Sequence, residues 1–211
     1  PSCFVAGTLV MVVAGMVAIE KIKSGDKVIS TDPETMETSP KTVLETYIRE
    51  VTTLVHLTVN GEEIVTTVDH PFYVKNQGFI KAGELIVGDE LLDVNGNVLL
   101  VENFDVELTD KPTTVYNFQV EDFHTYHVSG FGVLVHNAGK DYSRRERMGR
   151  QKGKSPRDQK KQQKQVKAIT RELKRRGVPE NKIKDNIHDI LHDEGMDYQE
   201  ALEEALNYFG V

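Results

Sequence analysis

The chain has 211 residues, enough for one or two domains, and a hydrophobic share of 38% that can build a core. No window approaches a membrane-spanning apolar run, and no charged, then apolar, then small-residue pattern opens the chain, so neither a membrane segment nor a signal peptide is expected among these residues. The net charge of −7 is unevenly spread: residues 1–137 carry 8 basic and 20 acidic side chains, 140–184 carry 18 and 5, and 185–211 carry 8 acidic and no basic ones, which places a domain boundary between Asn137 and Ala138.

The opening Pro1-Ser2 reads as the residue of an upstream segment. Cys3 comes next, the single cysteine, so an internal disulfide and a Cys-based zinc cluster are both excluded. A lone cysteine is usually a buried small hydrophobe; the alternative is a nucleophile, which needs thiolate character and access. Residues 8–13 form an apolar β-type run, Ala14-Gly15 a turn, and 16–22 alternate. Residues 27–31 follow Gly25-Asp26. Residues 41–59 are rich in Thr, Val, Leu and Tyr and read as two strands or one bent one. Asn60-Gly61 is a hairpin signal before 63–68, and Asn95-Gly96 repeats it between 91–94 and 98–104. Residues 115–120 and 125–135, with Gly130 and Gly132 at a turn, complete an all-β pattern with no long helical period. The unit Ile22-Lys23-Ser24-Gly25-Asp26-Lys27-Val28 resembles Leu85-Ile86-Val87-Gly88-Asp89-Glu90-Leu91 at an offset of 63 residues, which suggests a duplicated β subdomain.

The tail has another character. Residues 138–157 read as a flexible basic linker. A basic helix is expected over 158–176, ended by Gly177, with Pro179 just beyond. A second spans 180–194 with Ile183, Ile187, Ile190 and Leu191 on one face. Asp197 and Glu200 suggest a capping box before a third helix over 201–209, where Leu202, Ala205, Leu206 and Phe209 form an apolar stripe.

The apolar run Val133-Leu134-Val135 ends in His136-Asn137, where the chain changes character. An asparagine side-chain nitrogen can attack its own main-chain carbonyl, giving a succinimide and releasing the downstream chain. That reaction needs a proton for the leaving amine and a polarised carbonyl, and a neighbouring imidazole such as His136 can do one of these jobs.

Four motifs in order extend this reading: Cys3-Phe4-x-x-Gly7-Thr8; Thr67-Val68-Asp69-His70 with Pro71-Phe72; Val115-Tyr116-Asn117-Phe118 through Phe123-His124-Thr125-Tyr126; and Val135-His136-Asn137. On these residues 3–137 resemble a Hint domain, the self-cleaving module of inteins and hedgehog autoprocessing proteins, and within it the bacterial intein-like and pretoxin kinds. The resemblance implies a mainly β, pseudo-twofold horseshoe of short strands followed by a small all-α C-terminal domain, here 158–211. It implies scissile bonds at Ser2-Cys3 and Asn137-Ala138. Cys3 would attack the carbonyl of Ser2, Thr67 would hydrogen-bond the strained peptide, and His70 would supply or relay a proton to the departing nitrogen. His124 and His136 would assist cyclisation of Asn137. No cofactor or metal is implied. Asp69, His56 and His127 read as structural. Two positions depart from the intein pattern. Ala138 has no nucleophile to accept the upstream segment, so ordinary splicing is expected to be disabled. Asn117 stands where many inteins carry an Asp that couples the two steps, and an amide is no carboxylate acid or base.

By the same resemblance the tail is a released cargo of toxin type, with a nucleic acid target, an immunity protein as partner, and a place in a larger secreted or cell-surface bacterial toxin polypeptide. The substrate of the cleaving domain is its own flanking segments, and a monomer is expected. The basic stretch would bind phosphate backbones by counterion release; the plainer reading is a solvated face, or a tail whose acidic end folds onto its basic part. His188 and His192, at i and i+4 with Asp189 and Asp193 beside them, are candidates for acid–base or metal chemistry on phosphodiesters, or simply a polar helix face. The alternative for the whole chain is a catalytically idle β scaffold presenting a basic nucleic-acid-binding module.

Overall fold

The computed structural model describes residues 2–137, 156–191 and 198–211. The alternating segments become twelve strands, built as two similar runs. The first comprises β2 (Leu9–Val12), β3 (Gly15–Ala18), a 3-10 turn at Ile19–Lys21, β4 (Lys27–Thr31) and the long β5 (Thr38–Val59). The second comprises β7 (Pro71–Val74), β8 (Gly78–Lys81), a 3-10 turn at Ala82–Glu84, β9 (Glu90–Leu92) and the long β10 (Val98–Val120). β1 (Phe4–Val5), β6 (Glu62–Thr66), β11 (Thr125–Val128) and β12 (Val133–His136) complete the fold.

The repeated Gly-Asp units explain why the two runs match. Gly25 N–H donates to Val43 O and Val43 N–H to Asp26 O, each at 2.8 Å. Gly88 N–H donates to Val101 O at 2.8 Å and Val101 N–H to Asp89 O at 3.0 Å. The two aspartates each accept a backbone N–H three residues upstream, from Lys23 and from Ile86. Gly25 and Gly88 have φ of 92° and 93°, a left-handed conformation that glycine alone adopts cheaply. The duplication expected from the sequence is therefore present as one hydrogen-bonded unit used twice.

β5 and β10 pair antiparallel from Val59–Val101 to Val43–Val120. The sequence left 41–59 as two strands or one, and it split 98–104 from 115–120. Both segments are single long strands. The register shifts between Leu108 and Thr113, across Asp110-Lys111-Pro112. Proline has no N–H to give the ladder, so pairing slips there while the strand runs on. Val10, Val28, Leu57, Val59, Phe72, Leu85, Leu91, Val133 and Val135 fill the core between the two runs.

Among the described residues three helices follow: α1 (Pro156–Arg175), α2 (Glu180–Ile190) and α3 (Tyr198–Phe209). α1 ends as its sequence demands, with Gly177 at φ 91° and Val178 N–H returning to Leu173 O at 3.0 Å. α3 begins three residues earlier than its apolar stripe suggested. Asp197, expected from the sequence to cap α3, the residues from 192 to 194 and most of the expected linker lie outside the described residues. Ile169, Leu173, Ile183, Ile187, Ala201, Leu202 and Ala205 make a second core. No described helix is long and apolar enough to cross a membrane.

The helices are docked on the β sheet. Ala168 and Tyr198 pack into the main β core. Arg171 grips Asp105 at 3.0 and 3.2 Å, Arg175 pairs with Asp110, and Lys164 lies 3.3 Å from the centroid of Phe104 while donating to Leu85 O. Within the tail, Glu172 accepts from Arg175 and Arg176. Arg171 and Arg175 of α1, and Arg176 just beyond it, thus meet acids of β10 and Glu172 of the same helix.

Candidate active site

β1 is two residues long because it is wedged between two strands: Phe4 pairs with Thr66 of β6 and with Tyr116 of β10. This fixes Cys3 just outside the sheet edge. Its carbonyl accepts from Thr66 Oγ1 at 3.0 Å and from Thr67 N–H at 2.9 Å. Its N–H, which belongs to the Ser2–Cys3 peptide bond, donates to Thr67 Oγ1 at 3.0 Å. The Thr67 hydroxyl donates in turn to Asp69 Oδ1 at 2.9 Å. With its one proton committed to Asp69, that hydroxyl faces the peptide N–H as an acceptor. Asp69, read from the sequence as structural, is therefore what orients Thr67.

Cys3 is buried, and burial pushes its thiol up to about 11. His70 is fully buried, its ring 4.2 Å from the ring of Phe4, and its one polar neighbour of note is the backbone of Ser2, too loosely placed for a well-formed hydrogen bond. Burial brings it down to about 3, opposed by the charge of Asp69, so the imidazole is neutral at neutral pH. A cleft of about 430 Å³ opens beside this junction, lined among others by Thr53, Thr67, Asp69, Lys81, Glu84 and Tyr198.

The other junction is held by the β11–β12 hairpin, in which Thr125 pairs with His136. Asn137 N–H donates to His124 O at 2.8 Å, closing the hairpin base. His124 has φ 55°, a left-handed conformation rare for a residue with a side chain and common at functional sites. The exposed His124 ring lies 6.1 Å from that of buried His136, which packs 5.1 Å from Phe79. Asn137 is 1% exposed, yet its side-chain oxygen and nitrogen have no hydrogen-bond partner among the described residues. Leaving a buried polar group unpaired costs about 1–3 kcal/mol, and in a folded protein such an expense asks for a purpose.

Asn117 of β10 ties the two junctions together. Its Nδ2 donates to Ser2 O at 2.5 Å and to Asn137 O at 2.6 Å, the carbonyls of both expected scissile bonds. Its Oδ1 accepts from Phe118 N–H and from the Tyr126 hydroxyl, both at 2.8 Å. Sequence reasoning foresaw a gathering of Cys3, Thr67, His70, Asn117, His124, His136 and Asn137, and these residues do surround the two junctions. It missed the part of Tyr126, although Tyr126 closes the third of the four motifs; only the β10–β11 packing reveals it.

The remaining histidines stand apart. His127 is buried between Thr31 Oγ1 at 2.7 Å and Gly132 O at 2.8 Å, a core hydrogen-bonding position, and burial lowers it to about 4. His56 sits between Glu63 and Glu107 on the sheet face. His188 is exposed on α2; its expected companion His192 lies outside the described residues, as does Ala138.

The family described as the pretoxin HINT domain matches residues 9–138. Among solved structures, the chain is similar to a bacterial intein-like domain from Clostridium thermocellum, with 64% identity, coverage of 64% of this chain and 98% of that one, and a TM-score of 0.63. A DnaB intein from Synechocystis sp. PCC 6803 is 15% identical, covering 66% of this chain and all 100% of that one, at a TM-score of 0.56. The gp41-1 intein is 22% identical, covering 65% and 99%, at 0.54. These last two share the fold. The DNA-directed RNA polymerase III subunit rpc2 of Dictyostelium discoideum is 29% identical over 84 residues, and the chain spans 5% of that protein's length.

Proposed function

Because this chain belongs to the pretoxin Hint family, we propose that residues 3–137 cut the peptide bonds at Ser2–Cys3 and Asn137–Ala138 and so sever the covalent link to the C-terminal helices. The observation that carries this reading is the meeting of both junctions at one side chain, Asn117, from opposite ends of the β domain.

At the first junction the Cys3 sulfur attacks the Ser2 carbonyl carbon. A C–S bond forms, the C–N bond breaks, and the proton lost by the thiol ends on the freed amine of Cys3. Neutral His70, which faces the Ser2 backbone, carries that proton. Thr67, oriented by Asp69, holds the departing nitrogen in place. Water or an outside thiol then takes the acyl group. At the second junction Asn137 Nδ2 attacks its own carbonyl carbon, the bond to Ala138 breaks, and the nitrogen's proton passes to the new amine, with His136 and His124 beside it. Ala138 offers no hydroxyl or thiol to receive the upstream segment, so the two cuts are not joined by splicing. The severed helices are a cargo of toxin type, docked on the β domain by non-covalent contacts alone once the bond is cut. Their basic face suits a nucleic acid target, and an immunity protein would neutralise them in the producing cell.

The test is incubation of the purified chain at neutral pH with and without an added thiol. Loss of Pro1-Ser2 is expected, quickened by thiol and abolished by Cys3→Ala. A fragment beginning at Ala138 is expected, abolished by Asn137→Ala. An intact chain that instead binds nucleic acid in a salt-sensitive way would favour the idle scaffold.

A further inference from the structure

We propose that Asn117 and Tyr126 form a single oxyanion-binding device that serves both scissile bonds, with Tyr126 as the positioning residue. The proposal rests on the self-cleaving function proposed for residues 3–137.

A carboxamide carries two N–H protons, and here each faces a different carbonyl, Ser2 O at 2.5 Å and Asn137 O at 2.6 Å. Those are the oxygens that gain an electron pair when sulfur attacks at Ser2 and when Nδ2 attacks at Asn137. A donor fixed there before reaction stabilises the tetrahedral state at no cost of reorganisation. The orientation of the amide is dictated by its neighbours. Both carbonyls and the Oδ1 atom are acceptors only, and the Phe118 N–H is a donor only, so the nitrogen must face the junctions. The second lone pair of Oδ1 is filled by the Tyr126 hydroxyl at 2.8 Å. Tyr126 is fully buried, its ring 4.2 Å from that of Phe118, so the hydroxyl has little freedom to turn elsewhere. Two donors drawing on Oδ1 also polarise the amide and strengthen its N–H groups.

An aspartate at this position would behave differently. An aspartate, which many inteins carry here, could donate only in its protonated form, and then to one carbonyl at a time. The amide donates at every pH the protein meets. One donor group also links the two cuts. Cys3 and Asn137 each serve one junction, whereas loss of Asn117 disarms both.

The rates are measured separately, the first junction in an Asn137→Ala chain and the second in a Cys3→Ala chain. Asn117→Ala is expected to slow each by about 10²–10³-fold, as loss of an oxyanion donor does elsewhere. Tyr126→Phe is expected to slow both by a similar, smaller factor of roughly three to ten. It should add nothing once Asn117 is alanine, since it acts only through that residue. Asn117→Asp should be slow at neutral pH and recover in part as acid protonates its carboxyl. A non-cleaving Cys3→Ala/Asn137→Ala chain gives a readout independent of folding losses: the backbone carbonyl ¹³C resonances of residues 2 and 137 should move together on Asn117→Ala. A wild-type chain that never cleaves overturns the reading beneath the proposal. A cleaving wild type with either junction indifferent to Asn117→Ala, or unmoved carbonyl resonances, overturns the proposal alone. A Tyr126→Phe chain with unchanged rates at both junctions, or with a full additional loss on top of Asn117→Ala, removes Tyr126 from the device.

Discussion

His70 carries a cost that a purely structural histidine would avoid. It is fully buried with no well-formed hydrogen bond on either nitrogen, only the backbone of Ser2 nearby, while His127 satisfies both of its own. Both are held below the ordinary value of 6.5, at about 3 and about 4, because burial disfavours the charged ring. The native state therefore stays unprotonated where the unfolded chain takes up protons. Stability contributed by these rings is fully present above 6.5 and is lost as pH falls toward their folded values, at up to about 1.4 kcal/mol per pH unit for each. Thermal melting of the non-cleaving Cys3→Ala/Asn137→Ala chain at about pH 7 and about pH 5.5 reads the histidines apart from the carboxylates, which titrate lower. A lower Tm at the acid end is expected; an unchanged or higher one contradicts it. Cys3, Thr67, His70, His136 and Asn137 were legible in the sequence because the chemistry constrains residue type at fixed positions in short motifs. Asp69 and Tyr126 were not, because each acts by holding another side chain across a non-local contact.

The element that braces the first junction is the 3-10 turn at Ala82–Glu84. Ala82 N–H donates to His70 O and Gly83 N–H to Val68 O, both at 2.8 Å, so the turn pins the Thr67–His70 segment from below. Gly83 is not in the left-handed region; it is needed for space. A Cβ there would lie 2.5 Å from Val68 Cγ1 and 3.2 Å from Val68 O. Gly83→Ala should destabilise the domain by about 1–3 kcal/mol, as overpacking does. It should also slow cleavage at Ser2–Cys3 more than at Asn137–Ala138, to which the turn makes no backbone hydrogen bond among the described residues. Equal slowing at both junctions would mean that the loss is global. The Gly-Asp repeat announced the duplicated halves, because a left-handed glycine and a carboxylate on a backbone N–H are local demands. The unbroken length of β10 was hidden, since Pro112 reads as a stop and only pairing with β5 carries the strand past it.

On the scale of the whole molecule, the helices are cargo only if they leave. Their ion pairs to the sheet are about half exposed, as with Arg171 and Asp105 at 51% and 48%, and such pairs contribute about 0–1 kcal/mol each. The apolar contact is the stronger tie: Tyr198 is 1% exposed and Ala168 5%, both inside the β core. Cleavage after Asn137 should therefore leave the fragment 138–211 attached to 1–137 in size-exclusion chromatography, even at raised salt. Tyr198→Ala should let it elute separately. Separate elution of the wild-type fragments would show that the docking does not outlast the peptide bond. The change in charge along the chain goes with a passage from strands to helices, but charge alone could not say that part of the basic tail would settle on acids of β10.

The central claim is that Asn137 severs its own peptide bond. High-resolution mass measurement of the 1–137 fragment, taken as it forms, tests it most directly. Attack by the side chain leaves a C-terminal succinimide, so the fragment should first appear one water lighter than a hydrolytic product and then gain that water. A fragment that carries the hydrolytic mass from its first appearance, or that persists in Asn137→Ala, would contradict the account.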